Sequence, residues 1–426
     1  MKKKNNKKKS SLLYRIKKRF FKIKDAIIGD LDEEERTSFS IYEVIGIIVI
    51  SILFGVVVGY VIMYSRYPAN QVGNNKALRE VVETYQEIAN YYYGGMSETA
   101  LSEGAIKGMI QSLNDANSNY MDQEVTNTFN ETVDGSFVGI GVVIQYKDDY
   151  NEVIEVYENG PAEKAGIKVG DVLLKVDGQD IKGVYGDKVA SLVSGKSDTM
   201  VEITVKRDEK EKTFKVKRGV VELQSVSSDV INYEDRNIGY IKITSFADNT
   251  SKQFSRALGK IEESIDSLVI DVRDNPGGHL QQVTDILSVF FSKGKVLYQI
   301  ESKEKKDKVT SLTKESRDYP VMVLINRGSA SASEILASCF KDNYPNAKVI
   351  GLTSYGKGTV QKSVSLRSGN SFKYTTQKWL TSKGEWIDGK GVVPDVEVTQ
   401  DNEYLQNPVY ENDVQLQEAF KQIKES

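Results

Sequence analysis

The stretch VMVLINRGSASASEILASCF, residues 321–340, decides the fold of this chain. It opens with five consecutive apolar residues and closes with the helix-forming run ILASCF, and small residues rich in serine separate the two. A short apolar run followed by Gly, Ser and Ala is typical of a buried strand that turns directly into a helix. The stretch therefore predicts a strand-to-helix turn with Ser331 near its middle.

Strands and helices alternate on both sides of this stretch after residue 220. NIGYIKI and SLVIDVR are predicted as strands, and helices are predicted near residues 252–264 and 280–291. Strands that are apolar throughout and separated by helices indicate an α/β layered domain. A terminal helix is predicted over residues 411–424.

Two other regions have different patterns. Residues 76–113 show helical spacing that Gly94 and Gly95 interrupt, which predicts two helices. Residues 135–219 contain short β-type runs separated by glycine turns, which predicts a small β-rich module. The runs are FVGIGVVIQ, NEVIEVY, DVLLKVDG, MVEITVKR and KTFKVKR.

Residues 44–64 form an uncharged apolar segment of 21 residues. A helix of this length matches a hydrocarbon core about 30 Å thick, so the segment predicts a transmembrane helix. A buried core helix seldom stays apolar for so long. A cleaved signal peptide would have a shorter apolar region and a small-residue cleavage site, and SRYPANQVG contains no such site. We interpret the segment as a retained signal anchor.

The charge distribution predicts the direction of this anchor. Residues 2–24 contain twelve Lys or Arg and no acid, so the leader is expected to stay in the cytoplasm and the rest outside. From Ser65 onward, 44 basic residues face 53 acidic ones, so the chain is not expected to bind nucleic acid.

Composition limits the chemistry that the chain can perform. Its 426 residues, 39% hydrophobic and 27% charged, are typical of a globular protein with more than one domain. With one Cys, Cys339, and one His, His279, the chain can form no internal disulfide and no ordinary zinc or iron site. No metal or other cofactor is expected.

Ser331 alone supports two interpretations. It stands at a strand-to-helix turn, where a nucleophile could lie, but Ser331-x-x-Glu334 also fits a capping box that only begins the helix. Three further segments favour the first interpretation. They are DVRDNPGG at residues 271–278, GKGTVQ at 356–361 and GKGVVPD at 389–395.

In this order, the four motifs resemble those of the carboxy-terminal processing peptidases, serine proteases with a Ser-Lys pair and an inserted PDZ domain. The resemblance extends over residues 76–424 and includes EGAIKGM at residues 103–109 and TTQ at 375–377. It implies Ser331 as the nucleophile, Lys357 as the general base and Gln361 as an orienting third member. A lysine can act as a base only if its charged form is destabilised, for example by burial.

Two expectations about the catalytic residues remain open to alternatives. If GTVQKSVSL is a strand, Lys357, Thr359 and Gln361 share one face; outside this context Lys357 would be interpreted as a solvated turn residue. His279 could instead form a Ser-His-Asp triad with Asp271 or Asp274, but the resemblance already supplies a base.

Backbone N–H groups are expected to hold the oxyanion. The resemblance implies that these belong to Gly277 or Gly278 and to Ala332. PGG would otherwise be an ordinary turn after a strand.

Within the β-rich module, residues 138–142 and the later Gly160-Pro161-Ala162 and Gly170-Asp171 resemble a PDZ domain. The resemblance implies that a loop of four residues, here called the PDZ loop, binds a peptide's terminal carboxylate. These residues are Gly139, Ile140, Gly141 and Val142. Any one of the glycines could be a structural turn, but the ordered set favours a PDZ domain.

The fold class that follows is multidomain, α+β and α/β: one N-terminal transmembrane helix, a helical segment, and a β-rich PDZ domain inserted in an α/β serine protease core. The expected domains are a basic leader (1–43), the anchor (44–64), a helical N-terminal part (65–134), the PDZ domain (135–219) and the protease core with a C-terminal helix (220–426).

The expected function is that of a membrane-anchored, extracytoplasmic serine endopeptidase that cuts proteins near their carboxy termini. Its expected partners are proteins or peptides with free carboxy termini and the membrane, and a second copy of the chain is a candidate partner. The alternative is a catalytically silent PDZ scaffold on the membrane, against which the intact Ser331, Lys357 and Gln361 argue.

Overall fold

The computed structural model describes residues 18–19, 41–66, 75–314 and 316–426. The chain divides into two compact units, Met1–Ser102 and Glu103–Ser426. The predicted basic leader lies almost entirely outside the described residues.

The first helices of the described chain are long and regular. They are α1 (Ile41–Arg66), α2 (Lys76–Tyr91) and α3 (Glu98–Gln111). Within α1, Ile45–Ile62 has a mean hydropathy of 2.8 and no buried residue, so its length and composition suit a membrane span or a signal sequence. The separate α2 and α3 confirm the predicted break at Gly94 and Gly95.

A short strand and helix precede the β-rich module, which is built on a six-stranded antiparallel sheet in the order β3-β4-β5-β7-β8, with β6 paired to β5. Its core contains Val153, Leu173 and Ile203, all nearly inaccessible to solvent. The elements are β1 (Asn119–Met121), α4 (Gln123–Asp134), β2 (Ser136–Gly139), β3 (Val142–Lys147), β4 (Tyr150–Val156), α5 (Pro161–Ala165), β5 (Val172–Val176), β6 (Gln179–Asp180), α6 (Gly186–Val193), β7 (Met200–Arg207), β8 (Lys210–Lys217) and β9 (Gly219–Glu222).

The module enters and leaves the rest of the chain through one antiparallel strand pair. β2 precedes its sheet, β9 follows it, and the two strands pair from Ser136↔Glu222 to Gly139↔Gly219. Because both connections pass through this pair, the module is an insertion with a single two-stranded stem.

A second six-stranded sheet forms the centre of the remaining chain, in the order β10-β11-β12-β15-β16-β19. β10 and β11 are antiparallel, and the other neighbours are parallel. The elements are β10 (Val226–Tyr233), β11 (Arg236–Ile243), α7 (Thr250–Ile261), β12 (Ser267–Asp271), α8 (Leu280–Phe290), β15 (Val321–Ile325), α9 (Ala332–Asn343), β16 (Ala347–Gly351), β19 (Val396–Glu397), α10 (Asn402–Gln406) and α11 (Val414–Glu425), with 3₁₀ turns at Glu262–Ser264 and Tyr410–Asn412.

Helices cover both faces of this sheet. On one face α7, α8 and α9 bury a cluster that includes Phe254, Phe290 and Phe340. On the other face the terminal helix α11 packs Leu416 and Phe420 against alternate residues of the strands. Burial on both faces explains why the central strands contain consecutive apolar residues, such as the five of β15.

A third sheet completes the protein, with β18 paired to β1, β13 and β17, and β14 paired to β13. Its remaining strands are β13 (Val296–Glu301), β14 (Lys306–Thr310), β17 (Thr359–Ser365) and β18 (Ser371–Leu380). The observed architecture is thus a mixed α/β core with a β-rich inserted module, as predicted.

Candidate active site

Three loops meet at one edge of the central sheet. They are the glycine loop (residues 272–279) after β12, the serine turn (326–331) after β15 and the lysine loop (352–358) after β16. β12, β15 and β16 are neighbours and parallel, so their carboxyl ends point the same way. Sites in α/β sheets form at this edge for that reason.

Ser331 occupies the position just before helix α9 with a backbone conformation that few residues adopt. Its φ is 55° and its ψ is −110°, in a region of backbone conformation that residues other than glycine rarely adopt. A strained residue at a strand-to-helix turn is the arrangement that exposes a nucleophilic serine in other hydrolases. The predicted turn is therefore present, with Ser331 at its sharpest point.

The two neighbouring serines attach the serine turn to the glycine loop. Ser329 Oγ donates to the carbonyl of Val272 at 2.7 Å, and Ser333 Oγ donates to that of Asn275 at 2.9 Å. Both serines are fully buried, whereas Ser331 is half-buried. Of the three, Ser331 alone is accessible.

Gly277 lies in direct contact with the turn. A Cβ atom at Gly277 would lie 2.8 Å from Ser331 Cβ and 3.0 Å from the nitrogen of Ala332, and the φ of Gly277 is 100°. A side chain has no space and an unfavourable backbone there, so only glycine allows the loop to approach Ser331 this closely.

The N–H groups around Ser331 differ in what they bind. The N–H of Gly277 donates to Asn275 Oδ1 at 2.8 Å. In the described part of the chain, those of Gly278 and Ala332 have no protein acceptor. Ala332 is also the first residue of α9, where the helix dipole favours negative charge. These two N–H groups remain available to a ligand oxygen.

Glu334 connects the serine turn to the lysine loop. Its Oε2 accepts hydrogen bonds from the N–H of Ser331 at 2.7 Å and of Lys357 at 2.9 Å. Its Oε1 accepts from Ser354 Oγ at 2.6 Å and from the N–H of Gly356 at 2.7 Å. The carboxylate is completely buried, so these four donors replace water around it.

Lys357 lies in surroundings that favour its neutral form. Burial lowers the pKa of its amine, the positive charge of Lys373 lowers it further, and Glu334 partly offsets both effects. Its carbonyl accepts a hydrogen bond from the indole of Trp379 at 2.7 Å. The lysine is thus held by its backbone on both sides while its amine is easier to deprotonate than a solvated lysine.

Gln361 is near the site but has other partners. Its amide donates to Thr359 Oγ1 at 2.8 Å and to Thr375 Oγ1 at 3.2 Å. The expected shared strand face is only partly present, because β17 begins at Thr359, after Lys357, and its register shifts between Val360 and Gln361. Such a shift re-aims side chains.

His279 does not assemble the alternative triad from the predicted aspartates. Asp271 bonds to Tyr240 and Arg273, and Asp274 bonds to Asn326. The imidazole instead lies with its Nε2 3.2 Å from Asp248 Oδ1.

The PDZ loop leads from the stem into the module's sheet. Gly141 has a φ of 78°, and a Cβ atom there would lie 3.2 Å from Val221 on β9. In the described chain, the N–H groups of Ile140 and Gly141 have no protein acceptor. The loop therefore presents free donors, as the capture of a carboxylate requires.

Sequence reasoning missed two contributions to this site. Glu334 was considered only as a capping partner of Ser331, and Trp379 was not considered. The i+3 spacing of Ser331 and Glu334 was the one available signal, because the other contacts join residues 20 or more positions apart.

Three known family models match successive regions of the chain. Residues 237–398 match the model of peptidase family S41, residues 138–217 match the PDZ domain, and residues 63–125 match the activating protease CtpB N-terminal domain.

Several named relatives cover most of the chain. The carboxy-terminal processing protease CtpB of Bacillus subtilis (strain 168) is 36% identical, and the alignment covers 82% of this chain and 72% of the relative. A probable CtpA-like serine protease of Staphylococcus epidermidis is 36% identical, covering 89% and 77%. Among solved structures, the photosystem II D1 C-terminal processing protease is 26% identical with a TM-score of 0.45, covering 78% of this chain and 88% of that chain.

The fold and the family matches define a serine peptidase with a PDZ domain. The chain belongs to peptidase family S41, in the group whose members are named carboxy-terminal processing proteases. It is therefore a hydrolase that acts on proteins, as the motifs predicted.

Proposed function

We propose that this protein is a membrane-anchored, extracytoplasmic serine endopeptidase that cleaves proteins near their carboxy termini. Ser331 is the nucleophile and Lys357 the general base. Gln361 orients the site indirectly, through its hydrogen bond to Thr359, two residues from Lys357. The N–H groups of Gly278 and Ala332 hold the oxyanion, because that of Gly277 is already used by Asn275.

The observation that carries the proposal is the carboxylate of Glu334. It binds the backbone of Ser331 and of Lys357 with the same oxygen, at 2.7 and 2.9 Å. A nucleophile and a base must keep a fixed geometry to act together. A buried carboxylate that ties the two backbones together meets this requirement.

The proposed reaction has two stages. Ser331 Oγ attacks the scissile carbonyl while Lys357 accepts its proton, and the resulting oxyanion is stabilised by the two N–H groups. The lysine then protonates the leaving amine, so that the carboxy-terminal fragment departs and an acyl-enzyme remains. In the second stage water, deprotonated by Lys357, releases the acyl group and regenerates Ser331.

The PDZ module is proposed to bind the substrate's carboxy terminus and to gate the protease. Its free N–H groups at Ile140 and Gly141 suit a terminal carboxylate. Both covalent connections between the module and the core pass through the stem formed by β2 and β9, so a movement of the module reaches the core at this stem.

The membrane anchor is proposed from α1 and from the sequence before it. Ile45–Ile62 is apolar and unburied, and the lysine-rich leader precedes it. By the positive-inside rule, the protease then lies outside the cytoplasm.

Incubation of the full chain, in detergent, with an unfolded protein tests the catalytic assignment. We expect Ser331→Ala to abolish cleavage, a loss of about 10⁴-fold or more, because nucleophile and base act as a unit. The matched control is Ser338→Ala in the following helix α9, where the Ser338 hydroxyl donates to the carbonyl of Ile335. It should stay active.

Activity retained in Ser331→Ala would refute the assignment. If the wild type cleaves nothing under any condition yet binds carboxy-terminal peptides, the protein is the silent scaffold instead.

A further inference from the structure

Arg273 and two buried carboxylates form an ionic cluster at the start of the glycine loop. Arg273 donates to Asp271 Oδ2 at 2.6 Å and, with both terminal nitrogens, to Asp413 at 2.7 and 2.9 Å. Arg273 is 7% exposed, Asp271 0% and Asp413 2%. Such a cluster is costly to assemble, and removing one member leaves an uncompensated buried charge.

Asp413 belongs to the far end of the chain. It precedes the terminal helix α11 and caps it, since its Oδ1 accepts from the N–H of Leu416 at 3.0 Å. Gln400 donates to the same oxygen at 2.8 Å, and Gln415 accepts from Arg273 at 3.0 Å. The C-terminal segment thus encloses the guanidinium, in a two-pronged contact between residues 140 apart in sequence.

Arg273 leads directly into the residues that border Ser331. Asp274 follows with a φ of 58° and is held by Asn326, and Gly277 contacts Ser331. At its far end the glycine loop is held by the bond from His279 N–H to the carbonyl of Phe246 at 2.7 Å. Arg273 is the corresponding attachment at its near end.

We infer that Asp413 is a positioning residue for the reaction. By fixing Arg273, it holds the glycine loop where the N–H of Gly278 can donate a hydrogen bond to the oxyanion. This inference rests on the proposed function of Gly278. It makes the C-terminal helix part of the catalytic apparatus rather than only a cover for the sheet.

The charge of Asp413 suits this role. Burial alone would raise the pKa of its carboxyl, but the hydrogen bonds and charge of Arg273 lower it overall. Asp413 therefore stays ionised and bound to Arg273 at neutral pH.

Asp413→Asn separates positioning from helix formation. Asn is as good a helix cap as Asp, so α11 keeps its cap. One acceptor becomes an N–H₂ group that faces the guanidinium, so the two-pronged contact is lost. We expect kcat to fall about tenfold or more on both a protein and a small ester, with KM changed by less than about twofold.

The affinity for a peptide aldehyde is a second measurement, and a purely structural role of Asp413 would leave this affinity unchanged. The aldehyde bonds to Ser331 Oγ, the hydroxyl proton passes to Lys357, and the adduct carries an oxyanion. In Asp413→Asn its affinity should fall by the same factor as kcat/KM, while binding of a carboxy-terminal peptide to the PDZ domain stays unchanged.

The matched control is Phe420→Leu. Phe420 lies on the helix that Asp413 caps, is 2% exposed and packs against Tyr233, and as an apolar residue it supplies no acceptor to Arg273. It should lower the melting temperature but leave kcat at 20 °C within about twofold. If Asp413→Asn does not fold, Gln415→Met removes one acceptor from Arg273 without removing a charge, and a smaller loss in the same direction is expected.

Two outcomes overturn the inference. One is an Asp413→Asn enzyme with wild-type kcat and aldehyde affinity. If Asp413→Asn does not fold, the same result in a folded Gln415→Met enzyme overturns the inference. The other is a Phe420→Leu enzyme that loses both as strongly as Asp413→Asn. An aldehyde adduct in Ser331→Ala would refute the proposed function, and this inference with it, so the two failures are distinguishable.

Discussion

Ser331 keeps an unfavourable backbone conformation, and its neighbours explain how. A residue held at such φ and ψ values costs about 1–3 kcal/mol and persists only where the surroundings enforce it. Its own N–H is bound by Glu334, and the N–H of Ala330 donates to the carbonyl of Asn275 at 3.0 Å. The strain at Ser331 is therefore maintained jointly by the carboxylate of Glu334 and by the glycine loop.

Sequence spacing predicts only one of the four hydrogen bonds that Glu334 accepts. The i+3 interval from Ser331 predicts a capping partner, and the bond to the N–H of Ser331 is present. The other three bonds of Glu334 reach residues 354–357, which approach only because β15 and β16 are adjacent. Sheet order is a long-range property, so no local pattern contained this role.

The lowered pKa of Lys357 gives a pH prediction with a definite sign. If Lys357 is the proposed base, activity should rise with pH along a limb set by this pKa, which burial and Lys373 lower. Lys373→Met removes a neighbouring positive charge and should move this limb of kcat/KM to higher pH. The measurement is the pH profile with a small ester at low salt, where screening is weakest.

Lys362→Met is the control for this prediction. It removes an equal charge from the neighbouring strand β17 at an exposed position, and Lys362 does not perturb Lys357. Its limb should stay in place. A limb in Lys373→Met that is unmoved, or moved to lower pH, would contradict the electrostatic account.

At the scale of elements, strands with an apolar run or regular alternation and amphipathic helices were predictable, and strands of irregular composition were not. β15 is apolar throughout, β12 has an apolar centre at residues 268–270, and both were predicted directly. β18 was not, because its ten residues mix Lys, Thr and Gln with aromatic residues. Its conformation follows from pairing with β1, β13 and β17, and partners of this kind lie outside any local window.

Pro345 and Asn346 lie in the short connection between α9 and β16, and β16 begins at Ala347. The adjoining AKVIG was not predicted as a strand, although it is the strand that delivers the lysine loop.

The PDZ loop yields a prediction at this scale. Gly141→Ala adds a methyl group 3.2 Å from Val221 at a φ of 78°, so it should displace the loop and weaken binding of a terminal carboxylate. We expect cleavage of a protein with an apolar carboxy terminus to slow about tenfold, from a cost of about 1–2 kcal/mol. Hydrolysis of a small ester should be little changed.

Gly178→Ala is the matched control for Gly141→Ala. Its φ is 79°, and no atom lies within 4 Å of the added methyl group, so it carries the same backbone strain away from the loop. Protein cleavage by Gly178→Ala should stay near the wild-type rate. Equal rates in both variants would show that the PDZ loop neither captures substrate nor gates the enzyme.

For the whole molecule, the layered core was predictable but its assembly was not. Alternating apolar strands and helices indicated an α/β sheet, and the sheet is present with helices on both faces. That the three loops converge follows from strand order β12-β15-β16, and that the C-terminal helix reaches Arg273 follows from α11 packing behind the sheet. Both depend on contacts between distant segments.

The proposed anchor gives the prediction that concerns the whole chain. Ile45–Ile62 is apolar and unburied, so its length and composition suit a membrane span or a signal sequence. The twelve basic residues within positions 2–24 favour a cytoplasmic leader. In intact cells, an added protease should therefore degrade the region after Tyr64 and leave a tag at the amino terminus protected, as read by blotting for tags at both ends.

Permeabilised cells provide the control, because there both tags should be lost. Replacement of the Lys and Arg residues of the leader by Glu and Gln should weaken the preference for a cytoplasmic amino terminus. Part of the carboxy-terminal tag should then be protected, since positive charge near the helix sets the direction of insertion. Full protection of the carboxy-terminal tag in intact wild-type cells would place the protease in the cytoplasm. Release of the region after Tyr64, together with its carboxy-terminal tag, into the medium would instead show that α1 is a signal sequence that is removed.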